Sequence, residues 1–244
     1  MTTDNINLTY KKKDKHSSNM KISKILPALA ICALSLGTTA CNDNDDPGNN
    51  TYSTIAFVDY MGTGTNGQTT FLYSEPNSNK TYTLLSAAGI KDDLAIGRRI
   101  VISVNSKYGE EMKNNMEIDV TGAARLNSYG NFILASDPGS DFLTGYDLYL
   151  QLVQRAGNYV DVMAYANPED DECLKLYVDQ NTVGTSNPQA YLIYTPKKAS
   201  ASNQNYYASF NIADIVSNTA HKKLTVHVKS ANLADVTQDF TLNQ

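Results

Sequence analysis

Three glycines early in the strand-rich part of the chain have the spacing of a nucleotide-binding loop. The stretch "VDYMGTGTNGQTTFLYS" contains a G-x-G-x-x-G pattern from Gly62 to Gly67. Such a loop needs a following helix, because the N-terminal N–H groups of that helix hold the phosphate. Here a strand-like "QTTFLYS" follows, and Gln68 stands where a P-loop has lysine. Glycine and Asn66 also tolerate positive φ. The sequence therefore predicts a hairpin loop and no nucleotide site.

The other residue types that could do chemistry are few and scattered. Beyond residue 40 the only histidines are His221 and His227, and in "KLTVHV" the leucine and valines take the inward positions. We therefore predict an exposed histidine pair. Cys173, beside "LKLYVD", is predicted to be a half-buried, inert thiol. No G-x-S-x-G, H-E-x-x-H or C-x-x-C motif occurs in the sequence. We predict no catalytic residue, no cofactor site and no metal site, so the chain is not expected to be an enzyme.

Two features remain open to a binding role. "NPEDDE", residues 167–172, packs four acids between two strand-like runs. A solvated loop is the favoured interpretation, and weak calcium binding at Glu169 to Glu172 is the alternative. The chain also has 16 tyrosines and no tryptophan. Exposed tyrosines favour binding surfaces. Stacking against sugars is one such role, although the absence of tryptophan weakens it.

The N-terminal region is typical of a lipoprotein signal. Within "MKISKILPALAICALSLGTTAC", two lysines precede an apolar run, which is too short to span a bilayer. The closing "TTAC" resembles a lipobox, with Ala40 before Cys41 and Thr38 in place of the usual leucine. We therefore predict lipidation of Cys41. The predicted segments are a mis-called extension at 1–19, a signal peptide at 20–40 and an acidic flexible tether at 41–50.

Net charge restricts the partners of the mature chain. The first forty residues hold six lysines and two aspartates of the chain's 20 basic and 25 acidic residues, which leaves 14 and 23. A net charge near −9 disfavours nucleic acid and anionic membrane surfaces as partners. Membrane attachment is therefore expected through the lipid on Cys41. The acidic "NDNDDPGNN" resembles surface-export signals. We expect an outer-membrane lipoprotein that faces the cell surface, with the periplasmic face as the alternative.

Short β-branched and aromatic runs, separated by turn residues, predict an all-β protein. Five runs come before residue 125, the strand count of an OB-like Greek-key barrel, and seven follow, the count of an immunoglobulin-like sandwich. We place the barrel domain at 51–125 and the sandwich domain at 126–244, with the join near "ARLNSYGNF". Helix signals are limited to "NIADIVSN" and "KDDLAIG".

The order of signal, cysteine, acidic tether and two β domains resembles the NigD-like lipoproteins. The resemblance rests on "TIAFVDY", "LAIGRRIVISV" and "DLYLQLV". It implies an OB-fold domain followed by an immunoglobulin-like β-sandwich, together with a bacteriocin-associated context. No active-site residues come with it. The expected function is a non-enzymatic envelope lipoprotein that binds a protein or peptide. The alternative is a glycan-binding surface lipoprotein of a nutrient-uptake system.

Overall fold

The computed structural model of the chain describes residues 8–9, 51–90, 94–107, 111–139, 148–167, 172–195, 204–230 and 233–242. It is an all-β protein with two compact units. The first, a barrel unit, consists of the described residues up to Glu75 and of those from Thr81 to Arg125. The second, a sandwich unit, consists of Pro76–Lys80 and the described residues from Leu126 onward. Among the described residues, no helix is both long and apolar enough to cross a membrane.

The first unit is a closed five-stranded barrel. The strands in this half are β1 (Leu8–Thr9), β2 (Thr51–Thr63), β3 (Thr69–Ser74), β4 (Thr81–Ser86), β5 (Gly89–Ile90), β6 (Arg98–Lys107) and β7 (Met116–Ala124). The barrel closes in the order β2-β3-β4-β7-β6. Only the β4–β7 pair is parallel in this ring, and β1 pairs with β5 outside it. Five strands closed in a Greek key are the predicted OB-like barrel.

The barrel core follows the alternation that the sequence predicts. Ile100, Ile102 and Val104 of β6 point inward together, as do Tyr82 and Leu84 of β4. Burying side chains of this size stabilises the fold by roughly 1.5–3 kcal/mol each. The turn predicted as helical at "KDDLAIG" is not a helix over its described residues 94–97, because Gly97 has a φ of +82° and ends a turn instead.

The second unit is a two-sheet sandwich. Its elements are β8 (Ser128–Asn131), β9 (Ile133–Ala135), β10 (Tyr149–Ala156), β11 (Tyr159–Ala166), β12 (Leu174–Asp179), β13 (Gln189–Tyr194), β14 (Gln204–Asn211), α1 (Ala213–Ser217), β15 (Lys223–Ser230) and β16 (Leu233–Thr241). One sheet has the order β10-β11-β14-β8, and the other β16-β15-β13-β12-β9. The core between them is aliphatic and aromatic, and includes Val160, Val162, Leu176, Val178, Tyr206, Leu224, Val226 and Val228.

All seven strands predicted for this half are present, and α1 forms within the predicted "NIADIVSN". Two further strands, β8 and β9, lie where the sequence predicts only a polar join. They are consecutive in the chain but belong to different sheets, where each pairs in parallel at an edge. Strict alternation along "DLYLQLV" predicts that Leu148, Leu150 and Leu152 share one face, and this is wrong for Leu152. A bulge between Leu150 and Leu152 reverses the alternation, so Leu152 lies opposite Met163.

Candidate functional site

The glycine loop is a hairpin connection, as predicted. It joins the antiparallel strands β2 and β3, with φ values of +114° at Gly62 and +78° at Gly67. The Gly64 N–H donates to the Gln68 carbonyl at 2.9 Å, and the Gly67 N–H donates to the Gly64 carbonyl at 2.8 Å. The Gln68 N–H donates to Asn66 Oδ1 at 3.0 Å. These N–H groups are used inside the turn, so they do not form a phosphate cradle.

Cavity size limits what the described part of the barrel could hold. One cavity, which reaches from Ala56 and Val104 to Leu84 and Met116, has a volume of about 30 Å³. A single water needs roughly 10–15 Å³ measured in the same way. The cavity therefore accommodates water and is too small for a nucleotide or a sugar ring.

His221 is buried, which overturns its prediction as half of an exposed pair. Its side chain is 1% exposed. Nδ1 lies 2.9 Å from the Ile215 carbonyl oxygen, and Nε2 lies 2.7 Å from the Val183 carbonyl oxygen. His221 precedes β15, so strand alternation did not apply to it. The ring connects three segments at one end of the sandwich, which is a structural role.

His227 lies on the outer face of the five-stranded sheet, as the alternation of β15 predicts. Its ring stacks on that of Tyr191, with centroids 4.4 Å apart and an interplanar angle of 7°. Nε2 lies 2.9 Å from Gln189 Oε1. The two histidines are therefore held by different neighbours and do not form a shared site.

A polar cluster surrounds this stack, and we call it the sheet-face cluster. Hydrogen bonds and the ring stack join its members, which are Asn187, Gln189, Tyr191, Lys223, Thr225, His227 and Asp239. Thr225 Oγ1 donates to Asp239 Oδ1 at 2.6 Å, and Lys223 Nζ donates to Asp239 Oδ2 at 2.8 Å. The hydrogen bond from Lys223, followed by that from Thr225, lowers the pKa of Asp239. Asp239 is therefore a fixed, ionised acceptor and is poorly suited to proton transfer near neutral pH.

The aromatic residues of this face form a row across the strands. Ile133 lies opposite Tyr177, Tyr177 opposite Tyr191, and Tyr191 opposite His227. Because the Tyr191 and His227 rings stack face to face, one face of each ring is already covered. A Cβ added to Gly139 would lie 3.5 Å from Tyr191 Cε1, so that backbone also approaches the Tyr191 ring. Tyr191 therefore does not present the flat, open platform that a sugar would stack on.

β9 is an exposed apolar feature of the described part of the sandwich. Ile133 is 39% exposed and Leu134 is 54% exposed, and β9 is the terminal strand of the five-stranded sheet. The sequence did not predict this strand, because the preceding "ARLNSYGNF", residues 124–132, was interpreted as a polar join. The apolar "FIL" inside "GNFILAS" is the signal that could have revealed it.

Three predicted sites remain: Cys173, which the structure describes, and Cys41 and the acidic loop, which lie wholly or mostly outside the described residues. Cys173 is buried at 5% exposure in the sandwich core, so it is even less accessible than predicted. Within the described ranges, no group of three or more His, Cys, Asp or Glu side chains could hold a metal ion. Cys41 and most of the acidic loop, Glu169 to Asp171, lie outside the described residues.

No protein-family model and no curated protein matches the chain, but solved structures do. A protein of unknown function DUF1344 from Bacteroides vulgatus has a TM-score of 0.57 at 14% identity, with 78% of this chain and 90% of that chain covered. A protein described as toxin-related from Parabacteroides distasonis has a TM-score of 0.50 at 10% identity, with coverage of 79% and 94%. The chain shares their fold.

A third similar structure is described as a NigD-like immunity protein from Bacteroides caccae. It has a TM-score of 0.44 at 12% identity, with 76% of this chain and 91% of that chain covered. The resemblance to the NigD-like lipoproteins implies a small barrel followed by a sandwich, and this is the architecture observed.

Proposed function

We propose that the chain is a non-enzymatic cell-envelope lipoprotein whose folded part binds a protein or peptide partner. The single observation that supports partner binding is the exposure of Ile133 and Leu134 on an edge strand. Exposed edges present unpaired N–H and C=O groups, and natural proteins usually protect them. Extended peptides bind to such edges by main-chain hydrogen bonds.

The anchor in this proposal is the lipid on Cys41, preceded by the signal peptide at 20–40. The acidic tether at 41–50 supports presentation on the outer face of the outer membrane, and the periplasmic face is the alternative. The resemblance to the NigD-like lipoproteins adds a bacteriocin-associated context. A net charge near −9 supports a protein partner over nucleic acid.

The glycan-binding alternative has less support from the geometry. A sugar-binding face needs open aromatic rings beside hydrogen-bonding groups. The sheet-face cluster has such groups in Gln189 and Asp239, but the Tyr191 ring is stacked on His227 at 4.4 Å. A glycan array with the purified chain, compared with Tyr191→Ala, tests this alternative directly.

The proposed function is tested by site-specific photo-crosslinking in the intact cell envelope. A photoreactive phenylalanine analogue replaces Leu134, Tyr149 or Ile96, which are all exposed and lie in different parts of the fold. We expect a discrete crosslinked protein from at least one position, identified by mass spectrometry. An absence of crosslinked protein at all three positions, with specific binding on the glycan array, would favour the alternative.

A further inference from the structure

Resting on the proposed function, we infer that β9 is the docking edge for an extended, aliphatic and basic segment of a partner protein. That segment adds to the five-stranded sheet as a sixth strand. The inference specifies the binding mode and the chemistry of the partner, which the proposed function leaves open. It depends on the backbone of β9, its fixed position, its side chains and the charge around it.

The backbone geometry places one peptide unit at the free edge. In the parallel pair, Ala135 lies opposite Asp179, and the Gln180 N–H donates to the Ala135 carbonyl at 2.9 Å. The carbonyls of successive strand residues point to opposite sides. The N–H and C=O of Leu134 therefore point away from β12, toward the position of an added strand.

The chain is held in place at both ends of β9. The Phe132 N–H donates to the Asn211 carbonyl at 3.3 Å, and the Phe132 side chain packs against the sandwich core. At the other end, Asn181 Nδ2 donates to the Ser136 carbonyl at 2.7 Å. A preformed edge loses little conformational entropy on binding, which favours affinity.

Two of the other edge strands in the sandwich, β10 and β16, carry protective features that β9 lacks. On β10, the last residue, Ala156, is bridged by Pro76, and proline is a common edge device. On β16, Asp239 is exposed and is paired with Lys223. β9 has neither a charge nor a proline in "ILA", and its two large side chains point to opposite faces of the sheet. A bound strand would therefore meet an aliphatic contact on each face.

Charge selects the occupant. Asp179 lies opposite Ala135, and the exposed Asp137 follows two residues later, so two carboxylates lie at the C-terminal end of β9. A second copy would bring another net negative charge to the same edge, −5 for the full chain and near −9 for the predicted mature part, and this opposes self-pairing. A partner segment with lysine or arginine beside valine or isoleucine satisfies both the aliphatic contacts and the acidic end.

The test uses the full chain and three fluorescent ten-residue peptides. One alternates valine with lysine, the second alternates valine with glutamate, and the third is the lysine peptide with two valines replaced by proline. We expect the lysine peptide to bind at least tenfold more tightly than either other peptide, measured by fluorescence anisotropy. Hydrogen exchange should show new protection at the Leu134 amide.

Two matched variants separate edge binding from general charge attraction. Leu134→Lys and Tyr149→Lys each add one positive charge at an exposed strand position. We expect Leu134→Lys to lower the affinity for the lysine peptide at least tenfold. Tyr149→Lys should change that affinity less than twofold. Equal effects of the two variants, or equal binding of the glutamate peptide, would overturn the inference.

The remaining outcomes are also decisive. Concentration-dependent protection of Leu134 without peptide would identify a second copy as the occupant and overturn the inference. If the peptides do not bind while photo-crosslinking at Tyr149 or Ile96 captures a partner, the docking edge is wrong and the proposed function stands. If crosslinking also fails at all three positions, the proposed function fails as well.

Discussion

At the scale of single residues, neighbours decide what a polar side chain can do. His221 and His227 are six residues apart, yet one is buried between carbonyl groups and the other stacks on Tyr191. Strand alternation predicted the outward position of His227, because it lies within β15. It could not predict His221, whose contacts come from α1 and the segment after β12. Sequence patterns therefore predicted which sheet face a strand residue occupies, but not which loop residues are buried by segments distant in the chain.

Tyr206 gives the first residue-scale prediction. It is fully buried, its hydroxyl lies 2.7 Å from Ser128 Oγ, and burial raises its pKa to about 12. An unfolded tyrosine has a pKa of about 10. The stabilisation from this difference is fully present below about pH 10 and is lost as the pH rises through the folded value. It amounts to roughly 3 kcal/mol at most.

We therefore expect the free energy of unfolding of the wild type to fall between about pH 10 and pH 12. In Tyr206→Phe the fall over that interval should be smaller by about 3 kcal/mol. The measurement is the free energy of unfolding against pH, with tyrosinate absorbance followed in parallel. Tyr149→Phe, at an exposed tyrosine, is the control and should follow the wild type. An unchanged alkaline profile in Tyr206→Phe would contradict the assignment.

At the scale of elements, the sequence predicted which segments form strands better than how they pair. Twelve strands and α1 lie where turn residues and β-branched runs place them. The parallel pairs β4–β7, β13–β15 and β14–β8 were not predictable, because partners distant in sequence leave no local signal. A single bulge was enough to move Leu152 to the other face. The candidate site on β9 was missed because a three-residue strand is too short to show a period.

The glycine hairpin gives the element-scale prediction. Gly67 has a φ of +78°, while Gly184 has no such conformation and nothing within 4 Å of an added Cβ. We expect Gly67→Ala to destabilise the chain by about 1–2 kcal/mol and Gly184→Ala to be near neutral. Denaturant unfolding measures both. Calorimetry with ATP and NAD should show no binding to the wild type, and micromolar binding that is lost in Gly67→Ala would overturn the hairpin interpretation.

At the scale of the whole molecule, the sandwich unit includes a short segment from elsewhere in the chain. Asn77 N–H donates to the Arg155 carbonyl at 2.6 Å, and Arg155 Nη1 donates to Asn79 Oδ1 at 2.9 Å. Arg155 is 2% exposed, and its Nε has no hydrogen-bond partner in the described chain. Burial lowers the pKa of Arg155. The sequence shows only "EPNSNK" between two barrel strands, so this inclusion could not be predicted.

Asn79 therefore has a role in the stability of the sandwich. Asn79→Ala removes an acceptor from a buried guanidinium, and an unsatisfied buried donor costs about 1–3 kcal/mol. Asn66→Ala is the matched control, since Asn66 accepts its hydrogen bond in an exposed turn and should cost less. Thermal unfolding of both variants measures the difference. Equal destabilisation would show that the Asn79–Arg155 contact contributes nothing beyond an ordinary loop hydrogen bond.

Attachment to the membrane gives the last prediction. The predicted mature chain, residues 41–244, has a net charge near −9 and is repelled by anionic lipid, so we expect stable attachment to require acyl chains. One chain binds membranes only marginally, whereas two or more hold stably. We expect the wild type to incorporate labelled palmitate and to sediment with membranes, and Cys41→Ala to do neither. Cys173→Ala is the control, because that thiol is buried and should not affect labelling. An unlabelled, soluble wild type would mean that Thr38 prevents lipidation.

Protease treatment of intact cells then tests which face of the outer membrane carries the anchored protein. Digestion places the protein on the surface, and protection places it in the periplasm.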